Sequence, residues 1–343
     1  MHLWVCNMAG SVKNANVSIF VPHFGCPQQC TFCNQRSITG AQGDVIENAR
    51  QSIETARRTL GDKSKNAEIA FFGGSFTAID REFMLTLLSL AYEYVRRGEF
   101  RGIRISTRPD GITHEILDIL GRYGVTSIEL GAQSMDDGVL ELNRRGHDSR
   151  CVETASELIR SNGFELGLQM MTGMYGSDDE KDILTAQKII ALRPDTVRIY
   201  PTVVIKGTPL AELYRRGEYT PPILDGAVTL CAKLLMMFEN QGIRVIRLGL
   251  HSGGDVEGSF VAGVYHPALR ELCESRIYLK NATELLKGEA VGKKALLVAL
   301  GCTSKMVGQR RANLGLLREL GFDCTVKEKD GLCKYEVEIG EAE

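Results

Sequence analysis

Three cysteines fall within one short stretch of this 343-residue chain, Cys26-Pro27-Gln28-Gln29-Cys30-Thr31-Phe32-Cys33. Thiolates are soft ligands for zinc and for iron–sulfur clusters, and the spacing CxxxCxxC gathers three of them in one loop. Structural zinc takes four ligands, so three leave a metal position open, as suits a cluster or a catalytic metal that binds a further group. A zinc site closed by His23 or by a remote cysteine is the alternative. The remaining cysteines (Cys6, Cys151, Cys231, Cys273, Cys302, Cys324 and Cys333) are scattered, and each reads as a buried core thiol.

Such a loop needs rigid elements to carry it. Residues 16–22 (NVSIFVP) form a short β-branched run, read as a strand feeding the cysteine loop. Asp44 and Glu47 make a capping box for a helix that ends at Gly61. Strands over 68–72, 102–106, 125–130, 164–171, 196–200 and 243–248 then alternate with helices over 80–97, 113–123, 150–162 and 221–241. A further helix is capped by Ser177 with Glu180, and a short helical stretch carries Leu140 and Leu142. Alternation of this kind argues for parallel βαβ units, and about six of them suit a partial or full barrel; no GxGxxG fingerprint marks a dinucleotide fold.

In α/β barrels the active site lies at the C-terminal ends of the strands. The chemically suspicious residues fall there. Gly73-Gly74-Ser75-Phe76-Thr77 follows the second strand, Thr107-Arg108-Pro109-Asp110 the third and Gly131-Ala132-Gln133-Ser134 the fourth, while Gln169, Met170 and Thr172 end the fifth. Tyr200 and Lys206 beyond the sixth strand, and His251, Tyr265 and His266 in the glycine-rich stretch after 243–248, are candidate substrate contacts. His266 precedes Pro267 at a helix start, where a capping or packing role reads equally well.

With Phe32 just before its third cysteine, the loop resembles the signature of the radical S-adenosylmethionine (radical SAM) superfamily. The resemblance implies an α/β fold, a partial (β/α)6-type radical SAM barrel. It also implies a 4Fe-4S cluster held by Cys26, Cys30 and Cys33, with S-adenosylmethionine (SAM) chelating the fourth iron. A flavodoxin- or ferredoxin-like reductant would supply the electron that cleaves SAM to a 5'-deoxyadenosyl radical, which abstracts hydrogen from a substrate. By position, Phe32 and Asn34 stand beside the cofactor and the Gly73-Gly74-Ser75 turn receives its amino group. Gln133 and Arg145 are candidates for its ribose and carboxylate, with Arg144 as the neighbour that could replace Arg145. Gln169, Ser106 and Arg108 complete the same pocket. Three longer stretches, STRPDGI (106–112), ELGAQSMDDGVLELNRRGH (129–147) and IYPTVVIKGTPLAELYRRGEY (199–219), resemble the radical SAM half of the elongator catalytic subunit. Oxygen-independent coproporphyrinogen oxidases are a more distant likeness.

The elongator subunit follows its radical SAM core with an acetyltransferase domain that serves wobble-uridine modification in tRNA. Here the composition changes instead beyond Tyr278. A strand over 293–300, a helix over 304–320 interrupted by Gly308 and Gly315, and a hairpin over 324–339 turning at Asp330-Gly331 make a small C-terminal α+β (βαββ) module. The chain thus divides into an extension (1–14), a barrel core with its elaboration (15–280) and the module (281–343). Lys305, Arg310 and Arg311 surround Gly308, a basic turn able to hold an RNA backbone as the loop of a KH domain does; a solvated helix face explains them as well.

Hydrophobic residues at 43% and charged residues at 24% exclude disorder and a small disulfide scaffold. A net charge of -2 gives no global attraction to nucleic acid or anionic membrane, so any such contact must be regional. No run of about 18 apolar residues occurs and residues 1–10 lack a signal-peptide pattern, which leads to the expectation of a cytoplasmic enzyme without membrane contact. RNA, tRNA in particular, is the first substrate expectation. A tetrapyrrole-like molecule or metabolite, or a non-catalytic zinc and RNA-binding factor, are the alternatives.

Overall fold

Strand residues point alternately to opposite faces, and in the main sheet of this protein the two faces differ sharply. The computed structural model describes residues 16–21, 26, 30–33, 45–250 and 258–341. Its main sheet contains β1 (Asn16–Val21), β2 (Glu68–Gly73), β3 (Gly102–Thr107), β4 (Val125–Gln133), β5 (Glu165–Thr172), β6 (Thr196–Pro201) and β8 (Arg244–Leu248). These seven strands lie in the order β1-β2-β3-β4-β5-β6-β8, every neighbouring pair parallel, and the sheet curls into a half-barrel. The short strand β7 (Val203–Ile205) leaves the sheet to pair antiparallel with β9 (Phe260–Gly263).

One face is apolar. Ile69 and Phe71, Ile103 and Ile105, Ile128 and Leu130, Leu166 and Leu168, and Val197 and Ile199 are all buried in the core. Helices cover them: α1 (Val45–Leu60), α2 (Arg81–Arg96), α3 (His114–Arg122), α5 (Ser149–Ser161), α6 (Asp179–Ala191) and α8 (Leu224–Glu239), while the short α4 (Asp137–Leu142) and α7 (Pro209–Arg215) lie outside this core. Their starts are capped by side chains that accept a first-turn N–H: Asp80 from Phe83, Thr113 from Ile116, Asp136 from Val139 and Asp148 from Cys151. The cap of α6 is Asp178 rather than the expected Ser177, whose hydroxyl donates to Asp182 instead. Asp44, the expected cap of α1, lies outside the described residues.

The other face holds charges. Arg104, 3% exposed, donates to Glu68 at 2.7 Å, Glu129 at 3.2 Å and Glu165 at 3.1 Å. Arg198 forks onto Glu129 at 2.8 and 2.9 Å. Thr126 and Ser127 donate to Glu68. Burial alone would raise the Glu68 carboxyl, but the Arg104 charge and these hydrogen bonds bring it below the ordinary carboxylate range.

The module deviates from expectation in two ways. Strands β10 (Gly292–Val298), β11 (Phe322–Glu328) and β12 (Val337–Gly340) lie in the order β11-β10-β12, so the expected hairpin does not form. β11 runs parallel to β10 and β12 antiparallel to it, the burial of Leu296 and Val298 at the sheet centre outweighing the local Asp330-Gly331 turn. The expected single helix is two, α10 (Thr303–Val307) and α11 (Ala312–Glu319), broken at Gly308 and continuous through Gly315. Residue 280, the expected domain limit, lies inside α9 (Leu269–Leu286). That helix joins the two units: Glu274 takes Lys305 at 2.7 Å, Lys334 at 3.2 Å, Arg270 at 3.2 Å and the Tyr335 hydroxyl at 3.3 Å.

These cations outweigh the effect of burial and bring the Glu274 carboxyl down to about 2. A carboxylate with a depressed native pKa stabilises the fold above its unfolded pKa and loses that contribution as pH falls. The stability advantage of the native protein over Glu274→Gln is therefore expected to be full above about pH 5 and to shrink steadily as pH falls through 4.5 towards 2. Thermal melts of both proteins across that range check it; a pH-independent difference would show that the charge is not what docks the module.

Candidate active site

The cysteine loop leaves β1 and is fastened from outside the barrel. Thr31 donates its N–H to the Asn143 carbonyl at 3.2 Å and its hydroxyl to the Asn143 side chain at 2.7 Å. Asn143, fully buried behind α4, in turn donates to the carbonyls of Val139 and Tyr175, both at 2.8 Å. The Thr31 carbonyl accepts from Leu210 N–H at 2.9 Å, and Phe32 packs against Val204, Leu210, Ala211 and Tyr219. Neither β7 nor α7 was expected from the sequence, yet they are the shelf on which Phe32 rests.

Cys30 is buried, and its Sγ accepts from Arg145 Nη1 at 3.2 Å; Cys26 and Cys33 are half-buried. Among the described residues no three His, Cys, Asp or Glu side chains are gathered closely enough to hold a metal as they stand. Arg145 is buried and Arg144 exposed, so of the two arginines weighed from sequence it is Arg145 that faces the cysteines. Its Nη2 donates to the Gly131 carbonyl at 2.5 Å and lies 3.2 Å from His147 Nε2.

Two buried polar atoms here have no protein partner, Arg145 Nε and Gln133 Oε1. Such atoms are costly unless a ligand or water completes them. Gln133 ends β4 at an irregularity in the β4–β5 register with φ of 69°, a left-handed conformation that turns its side chain out of the strand alternation. At the end of β2, Gly73 has φ of 129° and a Cβ there would stand 2.0 Å from the Val21 carbonyl oxygen, so no side chain fits. Gly74 follows in a bend. A buried thiol bonded to an arginine, a donor and an acceptor left unpaired, and a backbone stripped of its Cβ at Gly73 fit a cluster with a polar organic ligand.

Other expected pocket residues serve the frame. Arg108 is occupied, bidentate to Asp110 at 2.8 Å and donating to the Arg145 carbonyl at 2.6 Å, which makes it a strut for Arg145. The Ser75 hydroxyl accepts from Arg108 N–H and meets Thr107 Oγ1 at 2.8 Å, tying β2 to β3. Gln169 and Ser106 both donate to Glu129, at 3.0 and 3.4 Å. The Tyr200 hydroxyl is 3.4 Å from Arg198, and burial raises its pKa. Lys206 is exposed, its N–H donating to the Ser259 carbonyl, and Tyr265 packs on Phe260 at 6.0 Å. His266 accepts the Ala268 N–H at 3.1 Å in a local turn ahead of α9, which itself has no side-chain cap. Asn34 and His251 lie outside the described residues.

Two family models match the chain: the Radical SAM superfamily over residues 20–188 and the Radical_SAM C-terminal domain over 194–279. The chain belongs to the radical SAM superfamily. It is 31% identical over 258 residues to human elongator complex protein 3, covering 69% of this chain and 46% of the relative. It is also 31% identical over 182 residues to a tRNA uridine(34) acetyltransferase of Methanocaldococcus jannaschii, covering 47% and 34%. The chain thus spans less than half the length of these relatives. An archaeal elongator protein 3 structure from Methanocaldococcus infernus shares the fold, with a TM-score of 0.63 at 24% identity over 78% of this chain and 63% of that one. Radical SAM enzymes use a 4Fe-4S cluster and SAM, and this chain is one of them.

His147 was not singled out by sequence reasoning, although it closes the ELNRRGH stretch. Burial, with the Arg145 charge second, lowers its pKa from 6.5 to about 4, so the neutral ring accepts from Arg145 through Nε2 and donates from Nδ1 to the Asp148 carbonyl. Between pH 6.5 and 4 the unfolded chain binds the extra proton, so this group's contribution is full above 6.5 and lost as pH falls towards 4. In the cluster-free protein, the wild-type melting temperature should fall relative to that of His147→Gln across that window. A difference that stays flat with pH would place the ring's proton elsewhere.

Proposed function

We propose that this radical SAM enzyme acts on RNA, with a base of a tRNA as the substrate moiety, at a centre over the C-terminal ends of the barrel strands. The observation that carries the site is the buried Arg145 guanidinium on Cys30 Sγ, next to the unpartnered Gln133 Oε1. When bound, the cluster and SAM supply a one-electron reduction and a hydrogen-abstracting radical. Cys26, Cys30 and Cys33 hold the cluster. Arg145 Nε and Gln133 Oε1 offer SAM one donor and one acceptor, and Gly73 with Gly74 lets the main chain approach it. Phe32, on the apolar shelf of Leu210 and Tyr219, closes the loop side against water. Tyr200 and Tyr265 stand on the substrate side.

RNA is favoured over a small molecule because relatives named for elongator and for tRNA uridine(34) acetylation align across the barrel core. The reductant is a flavodoxin- or ferredoxin-like electron carrier, and the cytoplasm is the compartment that fits a tRNA substrate.

After anaerobic reconstitution with iron and sulfide, the reduced protein should release 5'-deoxyadenosine from SAM, quantified by mass spectrometry. Cys30→Ala should lose both the visible iron–sulfur absorbance and this product, and unmodified tRNA should raise the wild-type yield. A colourless zinc protein that neither binds nor cleaves SAM would refute the enzyme, whereas cleavage indifferent to tRNA would refute the substrate.

A further inference from the structure

The break between α10 and α11 is built from unusual residues. Gly308 ends α10 at φ of 76°, and the next turn carries Arg310 at φ of 52° and Arg311 at φ of 62°, two consecutive non-glycine residues in the left-handed region. That region favours glycine, asparagine and aspartate, and arginine there is strained. The strain is held in place. Asn313, buried, donates from one amide nitrogen to the Ser275 carbonyl at 3.0 Å, Ser275 Oγ at 3.0 Å and the Met306 carbonyl at 2.9 Å. A Cβ on Gly308 would stand 3.1 Å from Asn313, so the turn is also closely packed.

Most other cations of the module are paired, although exposed Lys293 also has no carboxylate partner among the described residues. Lys294, Lys305, Arg318, Lys329 and Lys334 each meet a carboxylate. Lys305, read from sequence as part of the basic turn, is thereby committed to Glu274 and to docking. Arg310 and Arg311 are exposed, and neither has a carboxylate partner among the described residues. The turn sits between two helices of a β-α-α-β unit, and its Gly308-Gln309-Arg310-Arg311 has the first but not the second glycine of the GxxG loop with which KH domains clamp an RNA backbone. It is also tied to the barrel. Ser275 stands six residues, about 9 Å along α9, from Leu269, and Leu269 packs on Gly249 just past the C-terminal end of β8.

We propose that Arg310 and Arg311 grip consecutive phosphates of the RNA substrate, so that the module holds the strand while the barrel mouth takes the base. This rests on the RNA reading above. Strain maintained at an exposed, unpaired pair of cations is what a preformed anion grip requires, since the guanidinium groups are then oriented before the ligand arrives.

The test is fluorescence anisotropy of an end-labelled unmodified tRNA transcript with the full chain, over a salt series. Each phosphate contact contributes about 0.7 to 0.9 to the slope of log affinity against log salt. The double variant Arg310→Gly/Arg311→Gly should lower that slope by about 1.4 to 1.8 and weaken binding about 20- to 60-fold at about 0.1 M salt. It should nonetheless melt at or above the wild-type temperature, because glycine relieves the backbone. Arg310→Lys/Arg311→Lys keeps the charge and should stay within about threefold of wild type. Wild-type affinity in the glycine variant, or equal loss in both variants, would overturn the proposal. If the wild type cleaves SAM but binds no tRNA, both the grip and the RNA substrate fall together; if wild type binds tRNA and the glycine variant binds it as tightly, the grip alone falls.

Discussion

The inner face of the half-barrel is organised around one buried cation, Arg104. Its guanidinium meets Glu68 on β2, Glu129 on β4 and Glu165 on β5, so a single side chain fixes the relative register of four adjacent strands. Burying a lone guanidinium would cost several kcal/mol, and only the full set of carboxylates makes the arrangement tolerable. Replacing such a lattice with apolar residues is often neutral for stability, so its value lies in specificity. A slip of one residue in any strand would turn a carboxylate into the helix layer and an isoleucine into the barrel.

From that lattice the chain of constraint runs upward to the strand ends. Glu129 holds Gln169 and Ser106 as well as Arg198, which places the polar floor of the site. Above it, Arg108 grips Asp110 and the Arg145 carbonyl, and Arg145 reaches Cys30. The cysteine loop is therefore met by Asn143 and Arg145, both from the turn that ends α4, and by the Leu210 N–H of α7. Arg108 and Ser75, expected beside the cofactor, are tied into this frame, Arg108 to the Arg145 carbonyl and Ser75 to the Arg108 N–H.

Much of this was legible in the sequence because a parallel half-barrel writes its apolar face into every strand. β2, β3, β5 and β6 were read within a residue or two of their limits, and the polar strand ends fell where barrels place their sites. What escaped has physical causes. β7, α7 and β9 are short and stand by tertiary contacts, so their local periodicity is weak. Glu68, Arg104, Glu129 and Arg198 each sit alone in an apolar run, and a charge in a strand reads as noise until the partner strands are known; their shared phase along EIAF, IRIS, IELG and VRIY was the available signal. The Asp330-Gly331 turn misled because a local turn preference of small size yields to the burial of a central strand.

Backbone strain follows the same logic of function. Among the described residues, six non-glycine positions have left-handed φ: Gln133, Arg144, Arg193, Arg310, Arg311 and Tyr335. Arg193 lies just past α6, where that conformation ends helices routinely, and Tyr335 is locked by Tyr278 and Glu274 in the module's docking contact. Arg144 likewise follows the C-cap of α4, whereas Gln133 closes β4 at the strand ends and Arg310 with Arg311 makes the exposed turn. Strain persists only where surrounding structure over-determines it, and it is kept where orientation matters more than stability. By that criterion the strand ends and, on the proposal above, the module turn are the two places where orientation outweighs stability, and α9 connects them.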